Sequence, residues 1–192
     1  MVLHAVYGLT PHIGDVCSAW AQAGYTAIAP ALFDRISPDI IFAYDNPGAG
    51  SRAYASLSKV QIFADIAACA AATDVPGRVV ISGFCTGGTW AWQAAAAIPF
   101  AAQVNFYGSA VPALNDLDPL CPTIFHYGDT DHVVSLAEVH AIAARHPVAQ
   151  THIYPGAGHA FLNPDQGNFD PIAAELAWER SLAFLDAHLS GR

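Results

Sequence analysis

"RVVISGFCTGGTW", residues 78–90, leads from an apolar, β-branched stretch through Gly83, Cys85, Gly87 and Gly88 into a helical pattern. Glycine weakens both strands and helices, so its repetition around one cysteine needs a geometric reason. Suppose a strand ends at Phe84 and a helix begins directly after Cys85. The chain then reverses within two residues and leaves Cys85 at the tip in a strained conformation. Side chains two positions to either side would collide across the bend, which is why G-x-nucleophile-x-G recurs at such turns. Gly83 and Gly87 hold those positions, and Gly88 lets the new helix approach the sheet. A thiol at that tip sits at the positive end of the helix dipole, which favours thiolate. The N–H of Thr86 points into the same space as a candidate oxyanion donor. The same letters also fit an inert, buried cysteine beside a glycine turn.

Outward from this stretch, short apolar runs alternate with helical patterns. Strands are predicted at 2–7, 26–32, 78–84, 102–108, 122–128 and 151–156, and helices near 12–23, 57–72, 86–97, 135–145 and 171–189. Most of the strand runs are continuously apolar rather than alternating, as parallel strands covered on both faces are. The alternation predicts an α/β domain spanning 1–192, with a mainly parallel sheet of about six strands and helices on both faces. Residues 33–56 break the rhythm with two prolines and a "DNPGAG" cluster. A connection this long is either a lid or binding loop, or a surface excursion with a short helix.

Composition narrows the classes of function. With 54% hydrophobic and 12% charged residues the chain is globular rather than disordered. A net charge of −9, from 16 acids against 7 bases, leaves no basic footprint for nucleic acid or an anionic membrane. Cys17, Cys69, Cys85 and Cys121 lack the spacing of zinc or redox sites. No apolar run reaches the ~20 residues that span a bilayer. The start, "MVLHAVYGLT", has no positive n-region. The expectation is a cytoplasmic protein with reduced thiols, no metal and no cofactor.

A nucleophile needs a base, and the base needs an orienting group. The run 122–128 is followed by "GDTDHVVS" with Asp129 and Asp131, and the run 151–156 by "GAGHAFLNP" with His159. Both loops leave the C-terminal edge of the sheet, where ligands bind in open α/β folds and where Cys85 also lies. Either aspartate could instead cap the following helix. A metal reading of His126, Asp129, Asp131 and His132 conflicts with the alternation of the strand, which turns His126 towards the sheet interior and away from the loop. The other histidines, His12 among them, have no partner constellation and read as structural or solvated.

The segments "YGLTPHIGD" (7–15), "AGYTAIAPALFDR" (23–35), "GFCTGG" (83–88), "FHYGDTDHVV" (125–134) and "GAGHAFLN" (156–163) together resemble the dienelactone hydrolase family of α/β-hydrolases. The resemblance implies an α/β-hydrolase-type three-layer sandwich that cleaves a small ester or lactone. By position it assigns Cys85 as nucleophile, Asp131 rather than Asp129 as acid, and His159 as base, with the Thr86 and Val6 N–H groups as oxyanion donors. Three departures stand out. Ala5 falls where the family has a glutamate that engages the thiol. Asn163 falls where one of two carboxylate-clamping arginines would be, with Arg52 as a candidate for the other. The N-terminal strands common in the family are missing ahead of "MVLHAVY". The implied protein acts on a small ester or lactone as a monomer or homodimer, without nucleic acid or membrane partners. Thioester chemistry on the same residues, a non-catalytic binder that keeps the pocket, and a peroxide-sensing thiol are the competing readings.

Overall fold

The computed structural model describes residues 1–73, 75 and 77–189. Five strands form one sheet in chain order: β1 (Val2–Leu3), β2 (Val80–Phe84), β3 (Ala102–Phe106), β4 (Thr123–Gly128) and β5 (Gln150–Tyr154). All neighbours pair in parallel. Around the sheet lie α1 (Pro11–Gln22), α2 (Pro47–Ser56), α3 (Lys59–Ala72), α4 (Thr86–Ala95), α5 (Leu136–Arg145) and α6 (Pro171–Leu189).

The sheet has five strands rather than the six expected, because 26–32 does not join the ladder. That segment runs beside β1 and accepts one bond, from the Val2 N–H to the Ile28 carbonyl at 2.8 Å. Pro30 has no N–H with which to extend the pairing. β1 is also shorter than its apolar run, since the chain leaves the sheet at His4. There the first turn of α4 presses against the Leu3 and His4 carbonyls, at the one place where Gly87 has no side chain. The peeled segment closes a turn in which Gly8 N–H bonds the Ala5 carbonyl at 3.3 Å.

Strand alternation sorts the core into two faces. On one face Phe84, Phe106, His126 and His152 are successive cross-strand neighbours. Their rings stack at centroid distances of 4.6, 5.1 and 5.7 Å. α1 and α6 cover this ladder, with His12 edge-on to Phe84 and Ser181 Oγ 3.0 Å from His126 Nε2. Since His126 Nδ1 meets the Tyr154 hydroxyl at 2.8 Å, both its ring nitrogens are engaged and face away from the loop of Asp129, Asp131 and His132. On the other face Leu3 and Ile81 pack with Tyr54, Leu57, Ile62, Ile66 and Ala91 of the α2–α4 layer.

Residues 33–56 carry the short helix that one of their two readings allowed for. A single 3₁₀ turn, Leu32–Arg35, is followed by an irregular strap and by α2, whose start is capped by Asn46 accepting the Ala49 N–H at 3.3 Å. Among the described residues no single helix is long and apolar enough to cross a membrane, and α2 and α3 meet at a 90° bend.

A methyl group at position 87 would meet backbone that cannot yield, whereas one at Gly14 in α1 would meet nothing within 4 Å. Gly87→Ala is expected to cost about 3 kcal/mol or more in urea unfolding. Gly14→Ala, in an exposed helix interior, is expected to stabilise by roughly 0.5–1 kcal/mol in the same assay.

Candidate active site

Cys85 joins β2 to α4 with φ +54° and ψ −118°, a conformation that side-chain-bearing residues rarely adopt. Three bonds hold it there. Its N–H donates to the Phe106 carbonyl at 3.1 Å, and its carbonyl accepts from the Thr89 and Ser109 N–H groups at 3.1 and 3.2 Å. Strain of this kind persists where the surroundings over-determine it. A side chain at Gly83 would run into the Gly87 backbone, so the two glycines flanking the tip are there for space.

The start of α4 is open. Ser58 and Ser135 close α3 and α5 with complete capping boxes, but α4 has Cys85 at its N-cap and no side-chain cap. Helix N–H groups left without partners are donors awaiting an acceptor. The Thr86 hydroxyl oxygen lies 3.9 Å from the Cys85 sulfur, and the hydroxyl and N–H of Thr86 both favour its ionised form. Among the described residues neither Thr86 nor Val6 donates its N–H to an oxygen. Val6 follows Ala5 of the cavity lining, and Gly50 of α2 abuts its carbonyl.

The two aspartates after β4 part company. Asp129 accepts the Gly156 N–H at 2.7 Å and ties the loop after β5 to the loop after β4. Asp131 Oδ2 lies 2.8 Å from His159 Nδ1, while its Oδ1 accepts the Val133 and Val134 N–H groups at 2.7 and 3.1 Å. The other imidazole nitrogen, Nε2, is buried without a hydrogen-bond partner, and the Cys85 thiol is near enough to favour the protonated ring. Tyr107 packs its ring 5.1 Å from that of His159. Cys85, His159 and Asp131 thus converge from three loops at one edge of the sheet.

Electrostatics link the three. Burial pushes the Cys85 thiol up, but the His159 hydrogen bond and charge, with the Thr86 hydroxyl and N–H, outweigh it and bring the thiol below its ordinary value. Burial opposes protonation of His159, yet Asp131 and Cys85 together push the imidazole up to about 9. Burial likewise opposes ionisation of Asp131, and the His159 bond and charge with two backbone N–H groups reverse it. The Cys85 and His159 shifts both run towards thiolate paired with imidazolium. The other cysteines go the opposite way, with burial raising Cys17 and Cys69 and carrying Cys121 up to about 11.

A small cavity of about 40 Å³ opens onto the sulfur, lined by Ala5, Tyr7, Thr10, His12, Tyr44, Phe84, Tyr107, His159, Asn163 and Gln166 among others. It has room for only a few waters, so a substrate must displace part of the lining. Tyr44, from the 33–56 strap, packs edge-on to Tyr7 at 4.7 Å and bonds Asp165 Oδ2 at 3.4 Å. A far larger cavity of about 570 Å³ lies elsewhere, beside Met1, Trp20 and Arg78.

Asn163 lines the cavity, as its place after His159 suggested, and Ala5 lies beside the thiol with no carboxylate to offer. Arg52 is exposed on α2 and does not line it. His12, read from sequence as structural or solvated, is instead buried on the cavity wall. Pro11 at the first position of α1, just after the peeled β1 segment, was the available signal, since a first helical turn at that sheet edge faces the site.

Comparison with known proteins bears on this geometry. The sequence matches the family described as "Dienelactone hydrolase family" over residues 1–189. A protein of Bradyrhizobium sp. named "Probable 2-oxo-3-(5-oxofuran-2-ylidene)propanoate lactonase" is 31% identical, over 100% of this chain and 84% of its own. "Carboxymethylenebutenolidase 1" of Cupriavidus pinatubonensis is 29% identical, over 96% of this chain and 84% of its own. A crystal structure from Klebsiella pneumoniae, described as a candidate dienelactone hydrolase, superposes with a TM-score of 0.83 at 27% identity, covering 95% of this chain and 84% of that one.

Alkylation by iodoacetamide tests the thiol. Because its pKa is lowered, Cys85 is expected to react at neutral pH ahead of Cys17, Cys69 and Cys121, through an apparent pKa below the free value of about 8.5. Asp131→Asn removes a group that holds the imidazole protonated, so its profile is expected to move to higher pH.

Proposed function

The chain belongs to the dienelactone hydrolase family, and we propose that it hydrolyses small carboxylic esters or lactones by acyl transfer to the Cys85 sulfur. The observation that carries this reading is the 2.8 Å Asp131–His159 contact, on an imidazole that shares one small cavity with a thiol seated on an uncapped helix start. An inert scaffold has no reason to spend a strained residue and a partnerless buried nitrogen at one point.

The Cys85 thiolate attacks the substrate carbonyl carbon, and the carbonyl electron pair moves onto oxygen. The Thr86 and Val6 N–H groups, otherwise without an oxygen acceptor, are the donors for that oxyanion. Donors of this kind are typically worth ~3–4 kcal/mol each in the transition state. As the intermediate collapses, the C–O bond to the alcohol breaks and His159 hands its proton to the departing alkoxide. A thioester remains, and His159 is now neutral. It takes a proton from an incoming water as that water attacks the thioester carbonyl. Collapse expels the thiolate, releases the acid and restores the ion pair. Asp131 fixes the imidazole tautomer and stabilises its charged form throughout.

With Ala5 in place of a carboxylate beside the sulfur, activation falls to His159, the Thr86 donors and the helix start. All four cysteines are unpaired, which suits a reducing cytoplasm. In this reading one catalytic domain, acting as monomer or homodimer, needs no cofactor.

Cys85→Ala is expected to lower turnover of p-nitrophenyl acetate by at least about a thousandfold with an unchanged thermal midpoint. Undiminished turnover by that variant would overturn the assignment. Asp131→Asn is expected to lower kcat by roughly 10³–10⁴-fold by losing the tautomer it enforces.

A further inference from the structure

Part of the small cavity's wall is polar. Besides Cys85, His159 and three tyrosines, Thr10, His12, Asn163 and Gln166 line it, and among the described residues no lysine or arginine does. His12 is 7% exposed, and its Nε2 is buried without a hydrogen-bond partner. Leaving such a group unpaired costs about 1–3 kcal/mol, a cost that a ligand supplying a partner would recover. Asn163 is 4% exposed, and its Oδ1 already accepts the Asp165 N–H at 3.0 Å, so the amide NH₂ is what it offers the cavity.

The charge around this wall is negative. Asp165 borders it, bonded to Tyr44 on the cavity rim, and both Asp165 and Asp15 act on His12. Burial nonetheless outweighs them and keeps the imidazole below its ordinary value, hence neutral at physiological pH. A carboxylate placed here would be desolvated with no lysine or arginine to pair with, since His159 is engaged with Asp131, and would face Asp165, whereas an uncharged oxygen-bearing group meets the Asn163 amide NH₂ and the unpartnered imidazole nitrogen of His12.

We infer that His12 and Asn163 form a subsite for an uncharged, oxygen-bearing group of the substrate, so that the pocket selects neutral esters and lactones and rejects those carrying a carboxylate. The inference rests on the hydrolase reading for its chemistry, though not for its binding preference.

The test uses the mono-p-nitrophenyl ester of glutaric acid and the same compound with its free carboxyl methylated. On the wild type, kcat/KM for the methylated ester is expected to exceed that for the free acid by at least about tenfold. Asn163→Arg, which supplies the missing cation, is expected to narrow or invert that ratio. His12→Phe is expected to raise KM for the methylated ester about tenfold, and His12→Gln, which keeps an N–H, to restore most of the loss. Equal or faster cleavage of the free acid, or a His12→Phe enzyme indistinguishable from wild type, overturns the inference. Calorimetric titration of Cys85→Ala with both compounds separates the two claims. If the wild type cleaves neither ester the hydrolase reading fails, while tighter binding of the methylated compound still upholds the subsite and equal or weaker binding removes it.

Discussion

The first turn of α4 lies in direct backbone contact with the ends of β1 and β2, and most of what is distinctive about the molecule follows from that closeness. Side chains at Gly83 or Gly87 would separate the helix from the strands. Because they are absent, the chain turns from β2 into α4 through one residue, and that residue carries a φ of +54°. The same contact lies where β1 ends, against the Leu3 and His4 carbonyls. It also leaves the helix start uncapped beside the sulfur, where an unsatisfied donor is least costly because an anion can sit there. Packing thus creates the polar deficiency that the proposed chemistry uses.

The charges around the thiol are mutually dependent. Each of Cys85, His159 and Asp131 loses free energy by burial if it ionises alone. Together, with the backbone N–H groups of Thr86, Val133 and Val134, the ionised forms win. A low dielectric strengthens such a set only while every member is satisfied, which explains why Asp131 spends one oxygen on backbone donors and the other on the imidazole. Asp129, two residues earlier, is spent on holding the adjoining loops together, so that the base approaches from a fixed direction.

Two of the cavity-lining residues carry no charge where one could act: Ala5 offers the thiol no carboxylate, and Asn163 offers no guanidinium. The two features are consistent with each other. A cavity with no lysine or arginine among its described lining and bordered by Asp165 is ill suited to an anionic group, and the Cys85 and His159 shifts run towards the ionised pair without a further carboxylate. Tyr44 contributes by reaching from the 33–56 strap to the loop that carries Asn163, so a segment without clear periodicity completes the site.

The parallel sheet, its flanking helices and the three converging residues were legible in the sequence because each depends on a local rule. Apolar runs encode strands covered on both faces, glycines spaced about Cys85 encode a turn, and Asp131 and His159 sit just past strand ends. The choice of Asp131 over Asp129 came from family resemblance, and only the 2.8 Å contact gives it a geometric basis. The stretch 26–32 is strand-like in composition but does not pair, because pairing depends on a neighbour's N–H and C=O groups being in register. The environment of His12 is hidden from the sequence for a related reason. Whether a histidine is solvated, core or pocket-lining depends on what lies across from it, and its neighbours Asn163 and Asp165 are some 150 residues away in the chain. Local steric and hydrophobic patterning is written along the sequence, while the partner of a buried polar atom is set only when distant segments are brought together.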